Sequence, residues 1–147
     1  MAPQVDGHRG DTVGVLALDG GTDFRCAGIP ATSQELPRIR HALAAWARRA
    51  GVSDDHVAVI VLAAYEAMAN VVDHAYPHEG GTFDLYAACR PGQGWLWVTV
   101  SDRGCWQPPL TSHGWGMLLI NALATHASVE PHAGGTTVQM SWSLLRA

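Results

Sequence analysis

The feature that most constrains this fold is a long, apolar helical pattern between residues 54 and 76. At about 100° per residue, valine, alanine and methionine side chains gather on one side of the helix. The polar side chains form a narrow stripe on the other side: Glu66, Asn70, Asp73 and His74. An ordinary surface helix has a broad polar face instead. The thin stripe, walled by small residues, predicts a mostly buried helix whose polar side chains face a cavity.

Glu66 and Asn70 are four residues apart, so they lie about one turn apart on the same helix face. An amide oxygen can ligate Mg²⁺, which prefers oxygen ligands and keeps several waters. A carboxylate one turn away can orient a hydroxyl or water, or accept its proton. The alternative is structural, because buried polar side chains also satisfy neighbouring backbone groups. The helix alone leaves both interpretations open.

The length of 147 residues fits one domain with a substantial core. We expect residues 1–11 to form a flexible tail and residues 12–147 a single domain. No uninterrupted apolar run reaches the roughly 18 residues of a membrane span, so no membrane association is expected. The N-terminus lacks the charged and apolar blocks of a signal peptide, which predicts a cytoplasmic protein.

The charge pattern excludes several classes of partner and site. Net charge is −4, and all nine basic residues are arginine. Direct nucleic-acid binding needs a basic surface and is not expected, whereas a basic protein partner would suit a mildly acidic body. The absence of lysine excludes a lysine-dependent phosphate loop. The three cysteines have no Cys-x-x-Cys spacing, so reduced and mostly buried thiols are expected.

The alternation between helical and strand periodicity predicts an α+β fold with helices on one face of a mostly antiparallel sheet. Glycine and aspartate at residues 19–23 predict a turn between the first two strands. The predicted elements are strands over 12–18 and 24–29, helices over 34–50 and 54–76, strands over 82–89 and 95–102, a helix over 117–125, and strands over 127–131 and 136–144.

Three glycine motifs follow the organising helix. Asp102-Arg103-Gly104 lies at the end of a predicted strand. An aspartate there can accept a hydrogen bond from an exocyclic amine, and a glycine lets the backbone approach a flat ring closely. The same residue pattern also forms ordinary turns. Gly114-Trp115-Gly116 precedes a helix, whose free N–H groups favour phosphate, although plain loop-to-helix junctions look the same. Gly135-Thr136 begins the last strand, where threonine is commonly only a strand former.

The order of these motifs, over roughly residues 22–145, resembles the GHKL ATPase superfamily, which includes gyrase, Hsp90, histidine kinases and MutL. The text Glu-Ala-Met-Ala-Asn-Val-Val-Asp-His-Ala-Tyr at residues 66–76 resembles the N box of small bacterial anti-sigma factors that are serine-protein kinases. Residues 102–109 resemble the G1 region of actinobacterial members. The resemblance implies a two-layer Bergerat sandwich, in which three helices cover one face of a mostly antiparallel sheet.

The resemblance also implies roles for the helix residues. Glu66 matches the general base or water-orienting acid, and Asn70 matches the Mg²⁺ ligand. Asp73 and His74 line the same helix face near the phosphates.

The glycine motifs receive their roles in the same way. Asp102 matches the residue that binds the adenine amino group, and Gly104 lies beside the ring. Gly114 and Gly116 match the phosphate-facing G2 turn. Thr136 matches a hydroxyl that helps to hold adenine.

The implied function is that of an ATP- and Mg²⁺-dependent serine/threonine-protein kinase that phosphorylates a STAS-domain anti-sigma-factor antagonist and holds a sigma factor inactive. The resemblance also implies a homodimer through the N-terminal strand and first helix. The chain departs from the family where Trp106 replaces a usual glycine, and where the G2 segment 113–116 lacks arginine. These departures leave an alternative: a Bergerat-fold binding module that regulates a sigma factor or another regulator without phosphotransfer.

Overall fold

The computed structural model describes residues 13–18, 21–76, 80–105 and 115–145. They form one six-stranded sheet and three α-helices. In chain order, the elements are β1 (Val13–Leu18), β2 (Gly21–Pro30), α1 (Leu36–Arg49), α2 (Asp54–Asn70), β3 (Thr82–Arg90), β4 (Trp95–Asp102), α3 (Trp115–Leu123), β5 (His126–His132) and β6 (Gly135–Ser143). The predicted tail over 1–11 lies outside the described residues, so it stays a prediction.

The sheet has the strand order β1-β2-β3-β4-β6-β5, and every neighbouring pair is antiparallel. α2 packs between α1 and α3. Burial alternates along β4, where Leu96, Val98, Val100 and Asp102 are buried and the residues between them are not. The helices therefore cover one face of the sheet and leave the other open. This arrangement confirms the predicted α+β sandwich.

The first two helices begin and end where the sequence places breakers and caps. Pro37 lies in the first turn of α1, where its missing N–H removes no helical hydrogen bond. Gly51 follows α1 with φ +90°, a conformation that favours glycine. The Ser53 hydroxyl then caps α2 by accepting a hydrogen bond from the His56 N–H, at 3.3 Å. Asp54 adds negative charge to the positive first turn.

The core lies between the helices and the covered face of the sheet. α1 contributes Ile39 and Leu43, and α2 contributes Ile60 and Met68, all fully buried. Trp46 packs on Phe24 of β2, with 5.8 Å between ring centroids. Burial of aliphatic side chains stabilises a fold by roughly 1.5–3 kcal/mol each. This packing fixes α2 against the sheet, and α2 carries the polar stripe.

A turn of π-helix, Val71–Ala75, extends α2. π-turns are rare and are frequently found at functional sites. The sequence pattern predicted a helix that continues to residue 76, but not this change of helical type. Together, α2 and the π-turn form one continuous stretch, Asp54–Ala75, that is long and apolar enough by composition to cross a membrane. In this fold the stretch packs against α1, α3 and the sheet, as the core helix of a small domain does.

The turn predicted over residues 19–23 is too long, because β2 already begins at Gly21 and contains Asp23. Asp23 is only 5 % exposed. Its carboxylate accepts a hydrogen bond from Arg90 at 2.9 Å and another from the Tyr86 hydroxyl. The hydrogen bond to Asp23 raises the pKa of Arg90. These partners offset the cost of burying the carboxylate and let a turn-forming residue lie within a strand.

Candidate functional site

The polar stripe of α2 forms one wall of the candidate site. Glu66 and Asn70 are one turn apart and both are half-buried. His74 is also half-buried and lies in the π-turn, whereas its neighbour Asp73 is exposed. Three of the four predicted stripe residues are therefore half-buried.

Asp102 and Thr136 form the second part of the site. They lie directly opposite each other on neighbouring strands, Asp102 at the end of β4 and Thr136 at the start of β6. Both side chains belong to the face of the sheet that the helices cover, and their residues are 3 % and 2 % exposed. The sheet thus brings together two predicted adenine-binding residues that are far apart in sequence.

The Asp102 carboxylate is held by its own turn. Its Oδ1 atom accepts a hydrogen bond from the Gly104 N–H, at 2.9 Å. An ionised carboxylate has two oxygens and about four acceptor positions, so it can accept from several donors, of which an exocyclic amine could be one. A buried acceptor with a fixed orientation is suited to reading one hydrogen-bond pattern on a flat ring.

Gly104 connects this turn to the end of the polar helix. A Cβ atom at Gly104 would run into the carbonyl group of Ala75, in the π-turn. The adjoining Cys105 N–H donates to that same carbonyl oxygen, at 3.0 Å. The sequence suggested that Gly104 is needed for a ligand ring, and the structure adds a requirement within the chain itself. The turn after β4, which is predicted to bind adenine, and the end of the polar helix are therefore in direct contact.

Gly135 has a comparable role on the other side of Asp102. Its φ is +146°, and a Cβ atom there would collide with the carbonyl group of Asp102 and the Cα atom of Arg103. Only glycine fits this backbone approach. The Gly135-Thr136 motif therefore does more than start a strand, because it lets β6 approach the Asp102 turn closely.

The structure places the G2 motif only in part. Gly114 lies outside the described residues, and its predicted contact with phosphate stays a prediction. Gly116 lies in the first turn of α3, which begins at Trp115 and packs against α2. The first N–H groups of that helix have no intrahelical partners, as an anion site requires.

Two residues beside the site were not identified from the sequence. Tyr76 follows the π-turn, and its hydroxyl accepts a hydrogen bond from the Arg103 N–H at 2.9 Å. Gly81 precedes β3, and a Cβ atom there would overlap the ring of Tyr76. Tyr76 ends the text that resembles the N box, which is a signal for it, whereas a glycine pair before a strand is ordinary in turns and gives no signal for Gly81.

These residues fit a purine nucleotide with a divalent cation. The buried Asp102 carboxylate and Thr136 hydroxyl offer an acceptor and a donor for the base. The amide oxygen of Asn70 is a hard ligand for Mg²⁺. Among the described residues, no group of three or more His, Cys, Asp or Glu side chains could hold a metal ion.

Comparison with known families decides the identity of the fold. Residues 29–142 match the histidine kinase-like ATPase domain, which is most of the chain. The chain belongs to this family. The matched segment contains the stripe of α2, the Asp102 turn and Thr136, so the resemblance to GHKL ATPases that the sequence suggested is confirmed.

Two solved structures resemble this ATPase domain. One contains the RsbU and RsbW domains of Rv1364c from Mycobacterium tuberculosis, with 28 % sequence identity and a TM-score of 0.70 over 85 % of this chain. The other is the histidine kinase domain of the Erythrobacter litoralis EL346 blue-light activated histidine kinase, with 21 % identity and a TM-score of 0.53 over 79 % of this chain. The aligned regions span 33 % and 62 % of those chains. The first likeness agrees with the predicted anti-sigma-factor kinase type, and the second supports the fold alone.

Proposed function

We propose that this ATPase domain binds ATP with Mg²⁺ and phosphorylates a serine of a STAS-domain anti-sigma-factor antagonist, and that it also holds a sigma factor inactive. The observation that carries the proposal is the buried pair Asp102–Thr136, joined through Gly104 to the helix that bears Glu66 and Asn70. The likeness to the RsbW-containing structure supports the kinase and partner-switching parts.

Each residue has one task in the proposed reaction. The Asp102 carboxylate accepts a hydrogen bond from the adenine amino group, and the Thr136 hydroxyl helps to hold the base. Asn70 would ligate Mg²⁺, and the cation would neutralise charge on the phosphates. Glu66 orients the serine hydroxyl of the antagonist and accepts its proton as the serine oxygen bonds to the terminal phosphorus, the bridging P–O bond of ATP breaks and ADP leaves. Phosphoryl transfer relies mainly on such positioning and charge stabilisation.

Two further features belong to the same proposal. β1 is an edge strand, and an exposed edge can pair with a second copy of the chain. We propose a homodimer through β1 and the α1 region, which light scattering during size-exclusion chromatography would measure. The protein would act in the cytoplasm, where its proposed partners work.

Calorimetric titration with ATP and ADP, with and without Mg²⁺, tests nucleotide binding. We expect ATP binding to depend on Mg²⁺ and to weaken at least tenfold in Asn70→Ala, because the cation loses its amide ligand. Asn121→Ala is the matched control, since Asn121 is an exposed asparagine on α3. If neither nucleotide binds at millimolar concentration, the proposed ATP site is wrong.

A phosphorylation assay tests the chemistry separately. Glu66→Ala should keep nucleotide affinity but lose transfer of labelled phosphate to a STAS-domain substrate by roughly 100-fold or more, the usual scale for a general base. Glu130→Ala, on the exposed part of β5, is the control. Undiminished transfer by Glu66→Ala would reject Glu66 as the base.

The absence of lysine favours one alternative. A triphosphate would rely on backbone N–H groups, arginine or histidine, and Mg²⁺ for its charge. A module that has lost phosphotransfer could sequester a regulator through surface contact alone. A wild-type protein that retains a sigma factor in pull-down experiments, yet transfers no phosphate to any STAS-domain protein, would select this alternative.

A further inference from the structure

We propose that Tyr76 is a positioning residue for base recognition, whose hydroxyl fixes the Asp102-Arg103-Gly104 turn so that the Asp102 carboxylate meets the adenine amino group. This inference rests on the proposed ATP site. It adds a residue outside the predicted set and a specific consequence, which is discrimination between adenine and related bases.

The Tyr76 hydroxyl joins three segments. It donates to the carbonyl oxygen of Thr82, at 2.5 Å, and accepts from the Arg103 N–H, at 2.9 Å. A phenolic hydroxyl has one proton to donate and lone pairs that accept, so both bonds can form at once. The end of the N-box helix, the start of β3 and the turn after β4 therefore meet at one oxygen atom.

The surrounding backbone is shaped to receive this side chain. Gly81 lies against the Tyr76 ring, and any larger residue there would overlap the ring atoms. Tyr76 is half-buried in this position. Close packing restricts rotation of the ring, so the hydroxyl oxygen stays at a fixed position.

The bonds around Gly104 show how this contact reaches Asp102. Tyr76 binds the N–H before Gly104, and the Ala75 carbonyl accepts the N–H after it, from Cys105. The Gly104 N–H itself donates to Asp102 Oδ1. The backbone N–H groups of residues 103, 104 and 105 are therefore all hydrogen-bonded. Two of them donate to the consecutive residues Ala75 and Tyr76 at the end of the N-box helix. Release of the first would let the turn rotate, and the carboxylate would move with it.

The Arg103 side chain is held separately. Its guanidinium forms an ion pair with Asp84, at 2.8 Å. The backbone N–H of Arg103 donates to a different residue, Tyr76. Asp84 also accepts from the Gly28 N–H, at a bulge in β2. The side chain is therefore tied to β3 and the backbone to Tyr76, and loss of the tyrosine hydroxyl removes only the second restraint.

Tyr76→Phe tests this inference, because it keeps the ring and deletes the hydroxyl. Binding is measured for ATP and for inosine triphosphate, which has an oxygen where adenine has its amino group. We expect the variant to bind ATP about five- to tenfold more weakly, the scale of one hydrogen bond, and to bind inosine triphosphate within about twofold of wild type. The ratio of ATP affinity to inosine triphosphate affinity is therefore smaller in the variant than in the wild type.

Tyr86→Phe is the matched control. It also removes a part-buried tyrosine hydroxyl, but one that bonds Asp23 on the open face of the sheet. We expect it to keep the wild-type ratio of ATP to inosine triphosphate affinity. Hydrogen exchange without nucleotide gives a second measurement: the Arg103 amide should exchange faster in Tyr76→Phe, whereas amides in the middle of β4 should be unchanged.

Each outcome separates the two proposals. If Tyr76→Phe loses affinity for both nucleotides equally, or for neither, the positioning role is overturned while the ATP site stands. An unchanged Arg103 amide in the variant overturns the positioning contact whatever the nucleotide data show. If wild-type protein fails to bind ATP, or binds inosine triphosphate equally well, the proposed adenine site fails first and this inference falls with it.

Discussion

Replacement of Gly135 by alanine probes the backbone contact that brings β6 against the Asp102 turn. Gly135 has φ +146°, where a side chain is strained, and its Cβ atom would meet the backbone of Asp102 and Arg103. Backbone atoms cannot rotate away as a flexible side chain can. Strand β6 or the turn must move.

The expected cost has two parts. An unfavourable positive φ costs about 1–2 kcal/mol. Forcing an extra carbon into a packed position costs about 1–3 kcal/mol more. We therefore expect Gly135→Ala to lower the free energy of unfolding by about 3 kcal/mol and the Tm by roughly 6–12 °C.

Urea denaturation followed by tryptophan fluorescence measures this change, with Gly134→Ala as the control. At Gly134, a new Cβ would lie 3.7 Å from the His132 ring, an ordinary van der Waals distance, and its φ is not positive. That variant should stay within about 0.5 kcal/mol of wild type. Equal stability of the two variants would refute the close approach of Gly135 to Asp102. ATP affinity should fall only in Gly135→Ala, since only that change displaces the Asp102 turn.

Three further predictions concern the thiols and a helix cap. Cys105 is exposed and the other two cysteines are buried. One thiol per native chain should therefore react rapidly with a disulfide reagent, and three should react after denaturation. Three rapidly reacting thiols in the native protein would contradict the burial of the other two. Burial raises the pKa of Cys26 to about 11, above its value in the unfolded chain, so its contribution to stability is present below about pH 9 and lost towards pH 11. Urea unfolding at pH 8 and pH 10.5 should show a smaller pH effect in Cys26→Ala than in wild type or Cys105→Ala. Ser53→Ala should lower the free energy of unfolding by about 1 kcal/mol through loss of the α2 cap, and an unchanged urea midpoint would show that the cap contributes nothing.

Periodicity was sufficient to predict the element order. Alternating burial along β4 and the first part of β3, and the apolar stripes of the helices, depend on local spacing, which a sequence shows directly. The errors arose where tertiary contacts override local preference. Local preference predicts a turn at Asp23 because aspartate favours turns, yet Arg90, far away in sequence, stabilises it within β2. A partner across the sheet has no local signal.

In the candidate site too, local spacing predicts some residues, whereas others depend on contacts between distant parts of the chain. The spacing of Glu66 and Asn70 identified one helix face, because four residues always make about one turn. The role of Tyr76 depends on the hydroxyl reaching Arg103, 27 positions further along the chain. The same holds for Gly135, whose requirement for glycine comes from the carbonyl group of Asp102. Such contacts follow from strand order, which the sequence pattern does not specify.

The place of β6 in the sheet has a consequence for biosynthesis. β6 is the last described strand in chain order, yet it lies inside the sheet, between β4 and β5. While the ribosome is still making β6, the edge of β4 has no neighbour on that side, and unpaired edges are prone to pair with other chains. Thr136 is also absent until then, so a nascent chain carries Glu66, Asn70 and Asp102 without their partner on β6. The proposed nucleotide site is thus complete only after β6 has been made and inserted between β4 and β5, and the same insertion protects the open edge of β4.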